Sequence, residues 1–260
     1  MEGRTFQFNN MGKRPDLVNG ELYHISDRAV GDSVIFKDEG DYYRGIFSCY
    51  EFNNVNPVDI WLRRRQRKEE KLKEKAQTLE GPTFQNFQSA TQSDLILPQR
   101  DLLVEILVFC FMPNHIHLIL RQLKDCGISQ FMQKIGGYSK YFNEKYDRKG
   151  HLFNRFNAVH IKTDEQLRSV FIYDQINPVS LIEPGWKENG IKNSKKAIKF
   201  LEEEYRWSSF FDYLGKKNFP SVTVRDFLFE VMGGPEGCKQ TIRDWIEYKS
   251  FKDFGSIILD

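Results

Sequence analysis

The stretch Leu102 to Met112, LLVEILVFCFM, constrains this chain more than any other. It is almost wholly apolar and rich in residues that favour strands, so it reads as a strand covered on both faces. MPN follows as a turn signal, and His115 to Arg121, HIHLILR, reads as a second strand. The pair reads as a hairpin. The longest uncharged apolar run, Ile106 to Pro113, has the length of a strand and falls short of a bilayer span.

The flanking pattern extends this unit. Glu21 to Arg28 alternates apolar and polar residues and reads as a half-buried strand. Asp38 opens a helix in which Tyr42, Ile46 and Tyr50 recur at spacing four. Ile128 to Tyr146 has helical spacing through Phe131, Ile135, Tyr138 and Phe142. Asn157 to Lys162 is a short strand. Thr163 and Asp164 cap a helix running through Gln166, Leu167, Val170, Phe171 and Asp174, which Pro178 stops. The order β-α-β-β-α-β-α predicts an α+β domain with a ferredoxin-like antiparallel sheet over residues 21–180. Residues 1–20 read as a flexible leader and about 55–100 as an insertion. Residues 181–260 read as a mostly helical extension, packed through Trp186, Trp207 and Trp245.

Composition narrows the function classes. The chain has 260 residues, with 38 Lys and Arg against 36 Asp and Glu, a net charge of +2. Coating nucleic acid by bulk charge alone is excluded, while local basic grooves are not. Aromatic residues make up 14% of the chain, far too many for a disordered one. The N-terminus lacks the apolar core of a signal peptide. Cys49, Cys110, Cys126 and Cys238 form no CxxC pair. The expected setting is a reducing cytoplasm, without a membrane partner.

His115 and His117 stand two apart on the second hairpin strand, so both imidazoles leave one face while Ile116 and Leu118 turn into the core. Two imidazoles on one face suit a divalent metal and leave positions open for substrate. Histidine pairs of this spacing also occur in other enzymes. A histidine-triad hydrolase needs a third alternate histidine, but position 119 is Ile. A two-histidine phosphoesterase needs two HxT or HxS motifs. His24-Ile25-Ser26 fits one, but His115 is followed two residues on by His117. Downstream, Tyr173 and Asn177 in FIYDQINPV are i and i+4 on the predicted helix and share a face. A tyrosine can attack a phosphodiester and hold the product covalently. An amide oxygen is an acceptable hard ligand.

These motifs resemble a known family. FMPNHIHLIL resembles the HUH signature of the single-tyrosine transposases, and YDQINPV resembles their catalytic-helix pattern. More narrowly, the chain resembles the REP-associated tyrosine transposases. The likeness runs through Tyr23, His24, Ile25, Arg28, Ile35, Phe36, Asp38, Asp41 and Tyr42, then YFNEKYDRKGHLFNRF, NPV and YRWSS. It spans roughly 21–54 and 101–250. The resemblance implies a transposase-type DNA endonuclease and strand transferase. Tyr173 would be the nucleophile, with His115, His117 and Asn177 as ligands of Mg2+ or Mn2+. The implied partner is single-stranded DNA hairpins of REP-like palindromes, cut through a 5′-phosphotyrosine in a monomer or homodimer of a bacterial or archaeal nucleoid. The insertion and the apolar pair Phe171–Ile172 before Tyr173 depart from the family's pattern. A non-catalytic hairpin-binding protein and a rolling-circle initiator remain as alternatives, although no P-loop motif GxxxxGK[ST] occurs in the chain.

Two basic stretches could hold DNA. Residues 63–75 carry eight basic and three acidic residues, and 134–162 seven basic and two acidic. In the second, Tyr138 and Phe142 are expected in the core, while Lys145, Arg148, Lys149, His151 and Arg155 are expected to contact DNA. His24 reads as scaffold and His160 as a packed residue.

Overall fold

The computed structural model describes residues 15–31, 33–58, 65, 68, 69, 72 and 100–251, with side chains through 249. Most of the expected leader and insertion, and most of the basic run 63–75, lie outside the described residues.

Four strands form one antiparallel sheet: β1 (Leu22–Arg28), β2 (Val104–Met112), β3 (His115–Gln122) and β4 (Asn157–Ile161). Their spatial order is β2-β3-β1-β4. Each strand separated by a helical crossover therefore has another strand inserted beside it, as the ferredoxin-like reading expects. The hairpin turns through Pro113 and Asn114, placing His115 opposite Met112. β3 is central and pairs with β1 on its other side, His115 opposite Arg28 and His117 opposite Ser26.

One face of the sheet packs Tyr23, Ile25, Ile116, Leu118, Phe109 and Phe111 against helices α1 (Glu39–Phe52), α2 (Gly127–Ile135) and α3 (Tyr138–Lys145). The expected single helix from 128 to 146 is thus two. Gly136 and Gly137 separate them, because paired glycines weaken helix continuity and let the chain redirect. Tyr138 and Phe142 are buried, as expected.

The other face carries Leu107, Val108 and Ile119 under helix α4 (Asp164–Ile176). Thr163 caps α4 by accepting from the Gln166 N–H at 3.2 Å, and Asp164 and Glu165 lie in its positive first turn. A β-bulge at Ile106/Val108 breaks strict alternation in β2, so the consecutive Leu107 and Val108 both join this second core.

The chain after α4 runs through a 3-10 turn (Asn177–Leu181), α5 (Trp186–Asn189), α6 (Ser194–Lys199), a π-helical turn (Phe200–Glu204), α7 (Phe210–Tyr213), α8 (Asp226–Met232) and α9 (Gly234–Phe251). Its Phe210, Tyr213, Leu228, Ile242 and Ile246 fill the same core as α4. It also covers the open edge of β2. Phe111 N–H donates to Trp207 O at 2.9 Å, Ser209 N–H to Phe109 O at 2.9 Å, and Val224 N–H to Ile106 O at 2.9 Å. The Tyr205 and Tyr213 hydroxyls donate to the Phe111 and Leu107 carbonyls. An edge strand left bare would expose unpaired backbone groups, and these contacts remove them. Trp186 and Trp245 meet edge to face in the second core, while Trp207 packs on the first. Among the described residues, no helix is long and apolar enough to cross a membrane.

Candidate active site

Three elements converge between the sheet and α4. β3 supplies His115 and His117, β1 supplies His24 and Arg28, and α4 supplies Tyr173 and Asp174. The Asn177 N–H donates to the Tyr173 carbonyl, so the helical register carries through Asn177 although α4 ends at Ile176. This places Asn177 one turn beyond Tyr173 and against His117.

The Asn177 amide nitrogen lies 2.8 Å from His117 Nε2. The Tyr173 ring stands edge-on to His117, with centroids 5.4 Å apart at 89°. His115 and His117 rings are 4.8 Å apart. His115 Nδ1 lies 2.7 Å from Asn114 Oδ1, an arrangement in which Nδ1–H donates and Nε2 keeps its lone pair. The structure therefore gathers four sequence-predicted residues, Tyr173, His115, His117 and Asn177, at one place.

Two residues in this place were not assigned to it from the sequence. His24, read as scaffold, stacks on His117 with centroids 5.3 Å apart and rings nearly parallel. His24 Nε2 is 3.2 Å from His117 Nδ1 and 3.0 Å from Asp174 Oδ1. Asp174 is fully buried. Its signal was present: Leu167, Val170, Phe171 and Asp174 form one apolar stripe, and an acid within such a stripe needs a polar partner inside the fold. His24 had a weaker signal, because only the pairing of β1 with β3 brings it to His117.

The electrostatics favour neutral imidazoles. Burial pushes His115 down to about 3, and the Arg28 and Lys187 cations add to that shift. His117 is held well below its ordinary value by burial, then by His24, His115, Lys187 and Arg28. Burial raises the Asp174 carboxyl above its ordinary range, with His24 acting in opposition. A metal binds histidine in its neutral form, so both imidazoles are held as ligands require.

The donor set fits a divalent ion. Two neutral imidazoles on one strand face offer nitrogen ligands, and the Asn177 amide, whose nitrogen lies 2.8 Å from His117 Nε2, brings its oxygen as a hard donor to the same place. His24, His117 and Asp174 form a second cluster with ligand atoms within 4.8 Å of one another. All three are buried, which leaves no open position for a substrate, whereas His115 and Tyr173 are only half-buried. The Asp174–His24 pair therefore fits better as the support that orients His117 from behind.

The residues expected to contact DNA divide. The Lys145 ammonium pairs with Asp38 at 2.8 Å and with buried Asp41 at 2.7 Å, tying the end of α3 to the start of α1. Arg148 donates to Asn143 Oδ1 and to the Gly150 and His151 carbonyls, closing its own loop. Both cations are held by contacts within the protein. Lys149, His151 and Arg155 are exposed. Their loop joins β1 where Asn154 N–H donates to the Arg28 carbonyl at 2.8 Å, and Arg28 pairs with His115. These three residues thus lie on the segment that adjoins the histidine end of the sheet. His160 stacks on Tyr23 and lies 2.9 Å from Glu21, a packed position as read.

An antiparallel sheet with two metal-competent histidines on its central strand, faced by a helix bearing tyrosine and asparagine one turn apart, defines the class of site. Residues 72–173 match the family described as IS200-like transposase. Over that segment the chain is similar to IS200-like transposases, and the resemblance carried by its motifs is borne out there. The matched segment takes in both hairpin strands and ends at Tyr173. A solved structure described as the REP-associated tyrosine transposase bound to a REP hairpin aligns with a TM-score of 0.44 and 14% identity, covering 84% of this chain and 93% of that one. Comparison with curated proteins gave no match.

Proposed function

We propose that this chain is a metal-dependent, single-tyrosine DNA endonuclease and strand transferase acting on hairpin-bearing single-stranded DNA. The observation that carries the proposal is the Tyr173 ring standing edge-on to His117, with Asn177 2.8 Å from the same imidazole. The Tyr173 oxygen attacks the scissile phosphorus. The phosphorus–O3′ bond breaks, the departing oxygen ends as a 3′-hydroxyl, and the 5′-phosphate remains on Tyr173. Attack by another 3′-hydroxyl reverses the step and rejoins the strand. His115, His117 and Asn177 would hold Mg2+ or Mn2+, which when bound polarises the phosphate and neutralises its non-bridging oxygens. Asp174 and His24 fix the His117 ring. Lys149, His151 and Arg155 bind the backbone flanking the cut. A REP-like palindrome is the substrate implied by the motif resemblance.

The test is incubation with hairpin DNA and Mn2+, scored for a covalent band on denaturing gels. Tyr173→Phe should lose the band and keep hairpin binding. An undiminished band would refute the assignment.

A further inference from the structure

We infer that Lys187, supplied by the segment after α4, is a catalytic residue: its ammonium holds the negative charge that develops on the Tyr173 oxygen. The inference rests on the reading of Tyr173 as the nucleophile and deepens it.

Lys187 Nζ donates to the Tyr173 hydroxyl at 3.2 Å and lies 5.0 Å from the centre of the same ring. Among the described residues no carboxylate pairs with it. A surface lysine gains little by leaving water for a neutral phenol, because the phenol is a weak acceptor and the long side chain loses freedom. The placement is instead fixed by the backbone. Lys187 follows Trp186, which is buried and meets Trp245 edge to face at 5.6 Å. Gly185 turns the chain with a φ of +83° and accepts from the Asn189 N–H at 2.9 Å, closing the α5 turn around Lys187.

An interaction that strengthens as charge develops lowers the barrier, whereas one equal in both states does not. The ammonium already donates to the Tyr173 oxygen in the structure. It would meet an oxygen bearing negative charge whenever the phenolic proton has left. In cleavage the O–H bond of Tyr173 breaks, its oxygen–phosphorus bond forms, and the phosphorus–O3′ bond breaks. The proton count closes on the 3′-hydroxyl. Lys187 keeps its three protons and only donates a hydrogen bond. In rejoining, the Tyr173 oxygen is the leaving group and carries the same charge in reverse. A single residue therefore serves both directions, and removing it slows both. Arg28 is a further cation that acts on His115 and His117, so the facing cations give the site the sign that suits a phosphodiester.

The experiment compares wild type, Tyr173→Phe, Lys187→Met, Lys187→Arg and Lys187→Cys, the last before and after aminoethylation. Wild type given the same reagent controls for Cys126, the exposed native cysteine. Single-turnover adduct formation and rejoining are measured on hairpin DNA at saturating Mn2+, beside DNA affinity. We expect Lys187→Met to slow both directions by about 100-fold, the size typical of removing one preorganised donor, with affinity changed only a few-fold. Lys187→Arg should recover part of the rate. Aminoethylation of Lys187→Cys should recover most of it, which a purely structural loss could not give. Wild-type rates in Lys187→Met, a defect confined to affinity, or no recovery on aminoethylation would each overturn the role of Lys187 and leave Tyr173 standing. Absence of any Tyr173-dependent adduct in the wild type would overturn both.

Discussion

Acidifying chelator-treated protein from pH 7 to pH 5 should cost it stability through His115. The ordinary histidine value is 6.5, while burial and the Arg28 and Lys187 cations hold His115 down to about 3. Below pH 6.5 the unfolded chain binds a proton that the folded chain refuses, so stability falls with pH until the folded imidazole also titrates. The slope is about 1.36 kcal/mol per pH unit for one such group. Between 6.5 and 5 this amounts to about 2 kcal/mol, and to about 1–2 kcal/mol once solvent screening at the half-buried ring is allowed for. His117 acts with the same sign. Asp174 acts with the opposite sign: its raised carboxyl contributes below the ordinary carboxylate value, and that contribution is lost as pH rises through the folded value. Comparing wild type with His115→Gln removes the common terms. Urea unfolding at pH 7, 6 and 5, followed by tryptophan fluorescence, should show wild type losing about 1–2 kcal/mol more than the variant. That is a sizeable part of the roughly 5–15 kcal/mol typical of a folded domain. Parallel pH dependences in the two proteins would refute the claim that His115 is held neutral.

Asp174→Asn should lower Mn2+ affinity about 10–100-fold by removing the group that orients His24 and His117; calorimetry showing unchanged affinity would remove its supporting role. Gly45→Ala should destabilise the first core by about 1–3 kcal/mol in urea unfolding. A Cβ there would lie 2.7 Å from Phe36 and 2.8 Å from Phe111. Lys145→Ala should cost about 1–3 kcal/mol of stability by stripping buried Asp41 of its ammonium, with DNA affinity unchanged. Lys149→Ala and Arg155→Ala should do the reverse, weakening single-stranded DNA binding and lowering its salt slope by about 0.7 per lost phosphate contact. Titrations at several salt concentrations separate these two outcomes.

The legible parts of the fold are those written in local chemistry. The apolar run ending at Met112, its turn and the alternating β3 strand specify the hairpin because both faces of β2 are covered. Thr163 and Pro178 bracket the helix that carries Tyr173, and a spacing of four suffices to set Tyr173 beside Asn177. What was not legible depends on pairing between distant segments. His24 alternates with core residues Tyr23 and Ile25 as a scaffold histidine would, and only the β1–β3 register brings it to His117. Lys145 looks like one more cation in a basic stretch. Asp38 and Asp41, more than a hundred residues earlier, become its partners only when α1 packs on α3. The break between α2 and α3 was written in the glycine pair, but helical spacing on both sides concealed it.

The residues after 181 follow the same logic and change what the site is made of. They read as a helical addition, yet Trp207, Ser209 and Val224 complete the edge of β2, and Tyr213 satisfies the Leu107 carbonyl at the bulge. The bulge is what turns both Leu107 and Val108 toward α4. The packing that presses α4 onto the sheet, and with it Tyr173 onto His117, thus depends on contacts made beyond residue 200. The same segment delivers Lys187 to the Tyr173 hydroxyl. The histidines and the tyrosine come from the segment that resembles the transposases. The packing that holds them together comes in part from the segment that follows, so neither stretch alone accounts for the geometry.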